Sequence, residues 1–339
     1  MRTAEPDSRT ARPTFQLKRN RRRPPGVTSR DDLEFGAVRV LDGGMATELE
    51  RRGCDISGPL WSAHVLDSAP ETIAAVHLDY LRAGADCIST ASYQVSAKGY
   101  GELGRTAREA ERALRQSVEI AEQAKQEYAR ESGRRVWIAV SLGPYGAALH
   151  NGAEYHGRYE IGFDQLTAFH AERVAVAAET SADVVALETI PSLEEARAIL
   201  RALELSPKVT AWISFTCRDG KYVAHGESLQ DCAEAVADSP QVVAIGVNCT
   251  APQLVSQLIG EAHRGARRRK PLLVYPNSGE IWDATTRTWR GEADTKRYGA
   301  MAREWFEAKV QAVGGCCRTG PAHIAEVTRV AKANATFQQ

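Results

Sequence analysis

Eight short runs rich in β-branched and apolar residues recur along this chain, with segments of helical spacing between them. That recurrence limits the available folds more than any other feature. The runs are "VRVLDG" ending at Gly43, "DCISTASY" ending at Tyr93, "VWIAVSLG" ending at Gly143 and "DVVALETI" ending at Ile190. They continue with "VTAWISFTC" ending at Cys217, "VVAIGVNC" ending at Cys249, "LLVYPNS" ending at Ser278 and "AVGGCC" ending at Cys317. Near-continuous apolar strands of this kind belong to parallel sheets covered on both faces. Between them, "SAPETIAAVHLDYLRAGA" opens on Ser68 or Pro70, carries apolar residues three and four apart, and stops at Gly84. "REAERALRQSVEIAEQAKQEYARESG" and "SLEEARAILRALEL" behave likewise. Eight strands alternating with helices predict an α/β protein of the (β/α)8 TIM-barrel type, a single domain over residues 36–330. A doubly wound open sheet is the alternative. It is disfavoured because no G-x-G-x-x-G follows the first run.

The flanks differ. Residues 1–35 are rich in Arg and Pro without apolar periodicity and are expected to form a disordered basic extension, and 331–339 a short tail. The chain has 339 residues, 43% of them hydrophobic, enough to bury a large core. With 43 basic and 43 acidic side chains it presents no net field to nucleic acid or a membrane surface. No apolar run approaches the roughly 20 residues that span a bilayer. Seven scattered cysteines, an odd number, fit a reduced cytoplasmic protein better than a disulfide framework. The expectation is a soluble cytoplasmic protein. The residues leave its oligomeric state open.

In such a barrel the chemistry sits at the C-terminal ends of the strands. Those ends carry Asp42-Gly43-Gly44, Thr90 to Gln94, Gly143 to Gly146, Glu188-Thr189, Asn248-Cys249, Asn277 to Glu280 and Cys316-Cys317. Adjacent side chains in an extended segment face opposite ways, so Cys316 and Cys317 reach one site only if the backbone bends. Gly314 and Gly315 supply residues able to adopt unusual φ/ψ values. With Cys249 one strand away, three thiols can then converge. Three thiolates suit Zn²⁺ and leave a fourth position open, as catalytic zinc sites do. No C-x-x-C occurs, so a structural zinc knuckle is disfavoured. Cys54, Cys87, Cys217 and Cys232 are expected to be ordinary small hydrophobes.

The segments "LDGGMATELERRG", "AGADCISTASYQ", "SLGPYGAALHNGAEYHGRY", "LETIPSLEEA", "SFTCRDG", "GVNCT", "YPNSGE" and "GGCCRTGP" together resemble the zinc-dependent homocysteine S-methyltransferase family. They run in order from about Val38 to Ala325, and "GPYGA…NGAEYHGRY" and "YPNSGE" look most like its S-methylmethionine- or S-adenosylmethionine-using branch. The resemblance implies zinc held by Cys249, Cys316 and Cys317. It implies methyl transfer from a sulfonium donor to the thiol of L-homocysteine, forming methionine. Asp42 and Glu188 are the carboxylates expected to bind the homocysteine ammonium. The amides of Gly43 and Gly44 are expected to take its carboxylate.

Thr90 is expected to line the substrate end, Asn277 to fix a loop beside the metal, and Glu280 to meet the donor. No cobalamin is expected, because no segment remains to build a corrinoid-binding domain. Two other functions stay open: methylation of selenocysteine or another small thiol, and a non-catalytic zinc- or thiol-sensing barrel. The sensor leaves Asp42 and Glu188 without a use.

Overall fold

The computed structural model describes residues 35–336 apart from 59, 61, 284–287 and 291–292. Residues 1–34 of the expected extension, and 337–339 of the expected tail, lie outside the described residues. The tail expected from residue 331 is corrected in part, because helix Pro321–Thr336 runs through its first six positions.

The strands are β1 (Cys87–Ser89), β2 (Trp137–Leu142), β3 (Val184–Ile190), β4 (Ala211–Phe215), β5 (Val242–Asn248), β6 (Leu272–Tyr275), β7 (Ile281–Asp283), β8 (Thr288–Arg290) and β9 (Ala312–Val313). Seven of them form one parallel sheet in the order β1-β2-β3-β4-β5-β6-β9. That order has no reversal, so the doubly wound alternative, which needs a switch point, does not describe this chain. The sheet curls close to a TIM-type barrel.

The run expected as the first strand is reduced to two parallel bridges, Val40 to Val313 on one edge and Leu41 to Cys87 on the other. A side chain shortens it. Asp86 Oδ2 accepts the N–H groups of Arg39 and Val40, at 3.0 and 2.9 Å.

The helices follow from their ends. Pro70–Ala83 starts with Pro at its first position and stops at Gly84, whose φ of +108° suits glycine. Ala107–Ser132 is capped reciprocally by Thr106 and Glu109. Leu193–Glu204 begins where Ser192 Oγ accepts the Glu195 N–H at 3.2 Å. Their apolar faces and the outer face of the sheet share one buried layer. The inner face has its own cluster, in which Leu41, Cys87, Ala139, Ala186, Trp212, Ala244, Leu273 and Ala312 fill the middle of the ring. Trp212 bridges it by donating from Nε1 to the Tyr275 hydroxyl at 3.0 Å. The ring is therefore a packed core, and chemistry is confined to its mouth. The antiparallel hairpin β7–β8, unanticipated from sequence, stands in the loop that follows β6.

Candidate functional site

Cys249 follows β5 and takes a left-handed backbone, φ +48°. Cys316 and Cys317 follow β9. Their turn is closed by the Thr319 N–H on the Cys316 carbonyl at 3.2 Å, with Arg318 left-handed at φ +66°. Cys316 N–H also donates to the Pro276 carbonyl at 2.8 Å, and the Cys317 carbonyl accepts from Ser278 at 3.0 Å. The expected role of the glycine pair is corrected here, since neither Gly314 nor Gly315 has a positive φ. They are small because space is short. A Cβ on Gly315 would stand 2.3 Å from Thr319 Oγ1, and one on Gly314 2.5 Å from Leu41 Cβ.

The three sulfurs meet. Cys249 Sγ lies 2.7 Å from Cys316 Sγ and 3.8 Å from Cys317 Sγ, and all three lie within 4.8 Å of one another, partly exposed. Sulfurs placed tetrahedrally at ~2.3 Å from zinc are about 3.8 Å apart, so this soft donor set fits such an ion once the closest pair opens slightly. Hydrogen bonds from Cys249 and Cys316 hold the Cys317 thiol well below its usual range. The Cys316 thiol is held well above its own by its contacts with Cys249 and Cys317. Three thiolates this close repel, so a cation is needed for more than one to persist. Cys217 and Cys232 are buried, their thiols pushed up by desolvation, and stand outside the cluster.

Two carboxylates are buried at the same mouth. Asp42 Oδ2 accepts the Ser89 N–H at 2.7 Å, and Oδ1 the Ser89 hydroxyl at 3.2 Å. Burial pushes its pKa up to about 8, and the nearby Glu188 charge adds to this. Glu188 is held by the hydroxyl of Ser141, with Tyr275 as a second hydrogen-bonding partner, and burial raises it to about 7. Two carboxylates lifted in this way regain their charge when a cationic group comes between them.

The remaining expected residues divide. Asn277 holds its loop through its N–H on the Thr250 carbonyl at 3.0 Å, and its buried Oδ1 has no partner among the described residues. The Gly44 amide, expected to receive a substrate carboxylate, is taken by Thr319, carbonyl at 3.0 Å and Oγ1 at 3.2 Å. Thr90, expected at the substrate end, uses its hydroxyl internally: Oγ1 accepts the Ser141 N–H at 3.1 Å and lies 2.6 Å from Ser92 Oγ. It therefore positions Ser141, and through it Glu188. Glu280 turns to Arg318, with Oε2 at 3.3 Å from Nε and Oε1 at 3.5 Å from Nη2.

Sequence reasoning missed the hydroxyls that hold the carboxylates. Ser89 and Ser141 each stand in an otherwise apolar strand, and a polar residue there needs a partner, which was the available signal. It also missed Glu154, in the long loop after β2, buried and raised to about 7 by desolvation.

Three gathered thiols beside two cation-seeking carboxylates, on a parallel α/β ring, define an enzyme site for a small amino acid with a soft-metal ligand set. The profile of the homocysteine S-methyltransferase family matches residues 39–331. Homocysteine S-methyltransferase YbgG of Bacillus subtilis (strain 168) is 46% identical over 298 residues, 86% of this chain and 94% of that protein. Selenocysteine Se-methyltransferase of Brassica oleracea var. italica is 41% identical over 306 residues, 86% and 88% of the two chains. The metallated form of the homocysteine methyltransferase MmuM from Escherichia coli aligns with a TM-score of 0.78 at 39% identity, covering 86% of this chain and 96% of that one. The chain belongs to the homocysteine S-methyltransferase family. It is a methyltransferase that acts on the thiol of homocysteine.

Proposed function

We propose that the methyl donor is a sulfonium, S-methylmethionine first and S-adenosylmethionine second, and that one Zn²⁺ per chain sits on Cys249, Cys316 and Cys317. The convergence of three Sγ atoms within 4.8 Å carries this reading. Zinc, when bound there, supplies the Lewis acidity that lets a substrate thiol ionise at neutral pH. Asp42 and Glu188 hold the homocysteine ammonium, each pre-oriented by a serine hydroxyl. Gly43 is the amide left to the substrate carboxylate, and Asn277 Oδ1 offers an acceptor at the same mouth. Attack on a sulfonium methyl expels a neutral thioether, so no side chain has to protonate the leaving group. What the chain contributes is in-line placement of two sulfurs about one carbon. No cobalamin enters this scheme. Free thiols of this kind suit the reducing cytoplasm.

The same reading treats residues 36–336 as one (β/α)8 domain, with Val40 and Leu41 in the first strand position between β9 and β1. Among the described residues no helix is long and apolar enough to cross a membrane. A second acceptor, selenocysteine, is favoured by the 41% identity to a selenocysteine Se-methyltransferase.

The test is methionine formation by zinc-loaded protein offered homocysteine with S-methylmethionine, S-adenosylmethionine or betaine in separate reactions. Turnover with a sulfonium, lost together with zinc in Cys317→Ala, is the expected result. Bound zinc with no turnover on any sulfonium overturns the donor assignment.

A further inference from the structure

Glu154 has no part in the scheme so far, yet its position is costly and fixed. It stands in the 3-10 turn Ala153–Tyr155, is 3% exposed, and its buried Oε2 accepts no hydrogen bond among the described residues. Its surroundings are specific. The Cys317 charge acts on Glu154, and the Glu154 charge acts on the hydroxyls of Tyr93, Tyr155 and Tyr159. Glu154, Tyr93 and Tyr155 therefore border the thiol cluster, and Tyr159 stands near Glu154.

The loop that carries Glu154, Tyr155 and Tyr159 is held from outside. Glu195 Oε1 accepts the Tyr145 N–H at 2.6 Å and lies 2.9 Å from His170 Nε2, and Oε2 accepts the Tyr159 hydroxyl at 3.0 Å. Arg173 Nη2 donates to the Gly143 carbonyl at 2.8 Å. Gly146 packs directly on Glu154, since a Cβ there would lie 2.3 Å from the Glu154 nitrogen. One oxygen of the carboxylate, Oε2, is thus kept out of water without a donor among the described residues to satisfy it, an arrangement retained where a ligand completes it.

The chemistry of the missing partner can be read from what surrounds it. The acceptor's ammonium already has Asp42 and Glu188. A sulfonium carries charge but no N–H or O–H, so it is held by an opposite charge and by aromatic faces and not by hydrogen-bond donors. We infer that Glu154, bordered by Tyr93, Tyr155 and Tyr159, holds the sulfonium charge of the methyl donor and selects it over the neutral thioether. This rests on the sulfonium-donor reading and names the residue that enforces it. The charge balance gives the site a second consequence. As the methyl carbon bonds to the acceptor sulfur, its bond to the donor sulfur breaks and both electrons stay on that sulfur. The thiol proton leaves to solvent, the donor loses its charge, and the attraction that held it disappears as product forms.

The experiment compares S-methylmethionine with methionine, which differ by one methyl and one charge, on zinc-loaded full-length protein. The KM of the donor and the Ki of methionine, competing against it, are measured for wild type and Glu154→Gln, alongside zinc content and the KM of homocysteine. Expected is a rise of about tenfold or more in the donor KM with the methionine Ki changed less than about twofold, and with homocysteine KM and zinc unchanged. Equal weakening of both ligands, or of neither, overturns the inference. Glu154→Asp serves as a second variant: it keeps the charge and should keep most of the sulfonium preference. Loss of that preference to the same degree as in Glu154→Gln overturns the assignment too. A wild-type protein that turns over no sulfonium fails the donor reading itself, and does so before any substitution is made.

Discussion

Asn248 clasps Thr189 from both sides. Its Oδ1 accepts the Thr189 N–H at 2.8 Å while its Nδ2 donates to Thr189 Oγ1 at 2.8 Å. Thr189 needs this support, because a β-branched residue at φ +62° is strained. The clasp joins neighbours of two functional groups. Thr189 directly follows Glu188, and Asn248 directly precedes Cys249. One buried amide therefore sets the carboxylate strand and a thiol strand in register at the mouth, and it takes a third hydrogen bond, from Ser214 Oγ at 2.9 Å.

Asn248→Ala should lower stability by about 2–4 kcal/mol, because it strands buried partners on Thr189 and Ser214. Chemical denaturation measures this. The KM of homocysteine should rise at the same time. A stable variant with unchanged KM removes the clasp from the account.

Asp42→Asn should weaken homocysteine binding about 10- to 100-fold, or about 1.4–2.7 kcal/mol, without lowering stability. The sign follows from burial. The folded pKa of Asp42, about 8, stands above its ordinary value, so the folded state holds its proton more tightly than the unfolded state. Its contribution to stability is therefore fully present below about pH 4 and is lost as pH rises through about 8. Asn does not ionise. The variant should gain on wild type in denaturation midpoint between pH 6 and pH 9, and a variant that falls behind over that range contradicts the sign.

His77 predicts acid sensitivity. It is fully buried in helix Pro70–Ala83, neither ring nitrogen has a partner among the described residues, and desolvation depresses its pKa to about 3. A depressed folded pKa means that stability is complete above the unfolded value of about 6.5 and is lost as pH falls towards about 3. Near pH 4 the loss is on the order of 3 kcal/mol. His77→Leu should shift the acid-unfolding midpoint to lower pH, and an unmoved midpoint shows that other groups control it.

Gly146→Ala tests the packing of the loop after β2. The new methyl would meet backbone, the Glu154 nitrogen at 2.3 Å and the Ala153 carbonyl carbon at 2.6 Å, so the segment must shift. Overpacking of this kind costs about 1–3 kcal/mol. The melting temperature should fall, and the KM of the methyl donor should rise more than that of homocysteine.

The strand positions, the parallel class and the thiol trio were legible because each rests on local pattern. Apolar runs mark covered strands, and a metal ligand set is a matter of residue type and of position at strand ends. Asp42 and Glu188 were legible for the same reason, as acids closing apolar runs. The uses of Thr90, Glu280 and Gly44 were not legible, because each is decided by a distant partner: Ser141, Arg318 and Thr319 respectively. The first run showed a strand, and the Asp86 side chain reduced it to two bridges.

By itself, then, the sequence determined the α/β ring and the kinds of group at its mouth, since alternation, run length and residue chemistry are properties of short segments. Only the tertiary structure decided which carboxylates stay open to a cation and which are consumed. A buried carboxylate keeps or loses its free valence according to whether chain from far away brings a donor within hydrogen-bond distance. Arg318 does this for Glu280, and among the described residues no side chain does it for Glu154 Oε2.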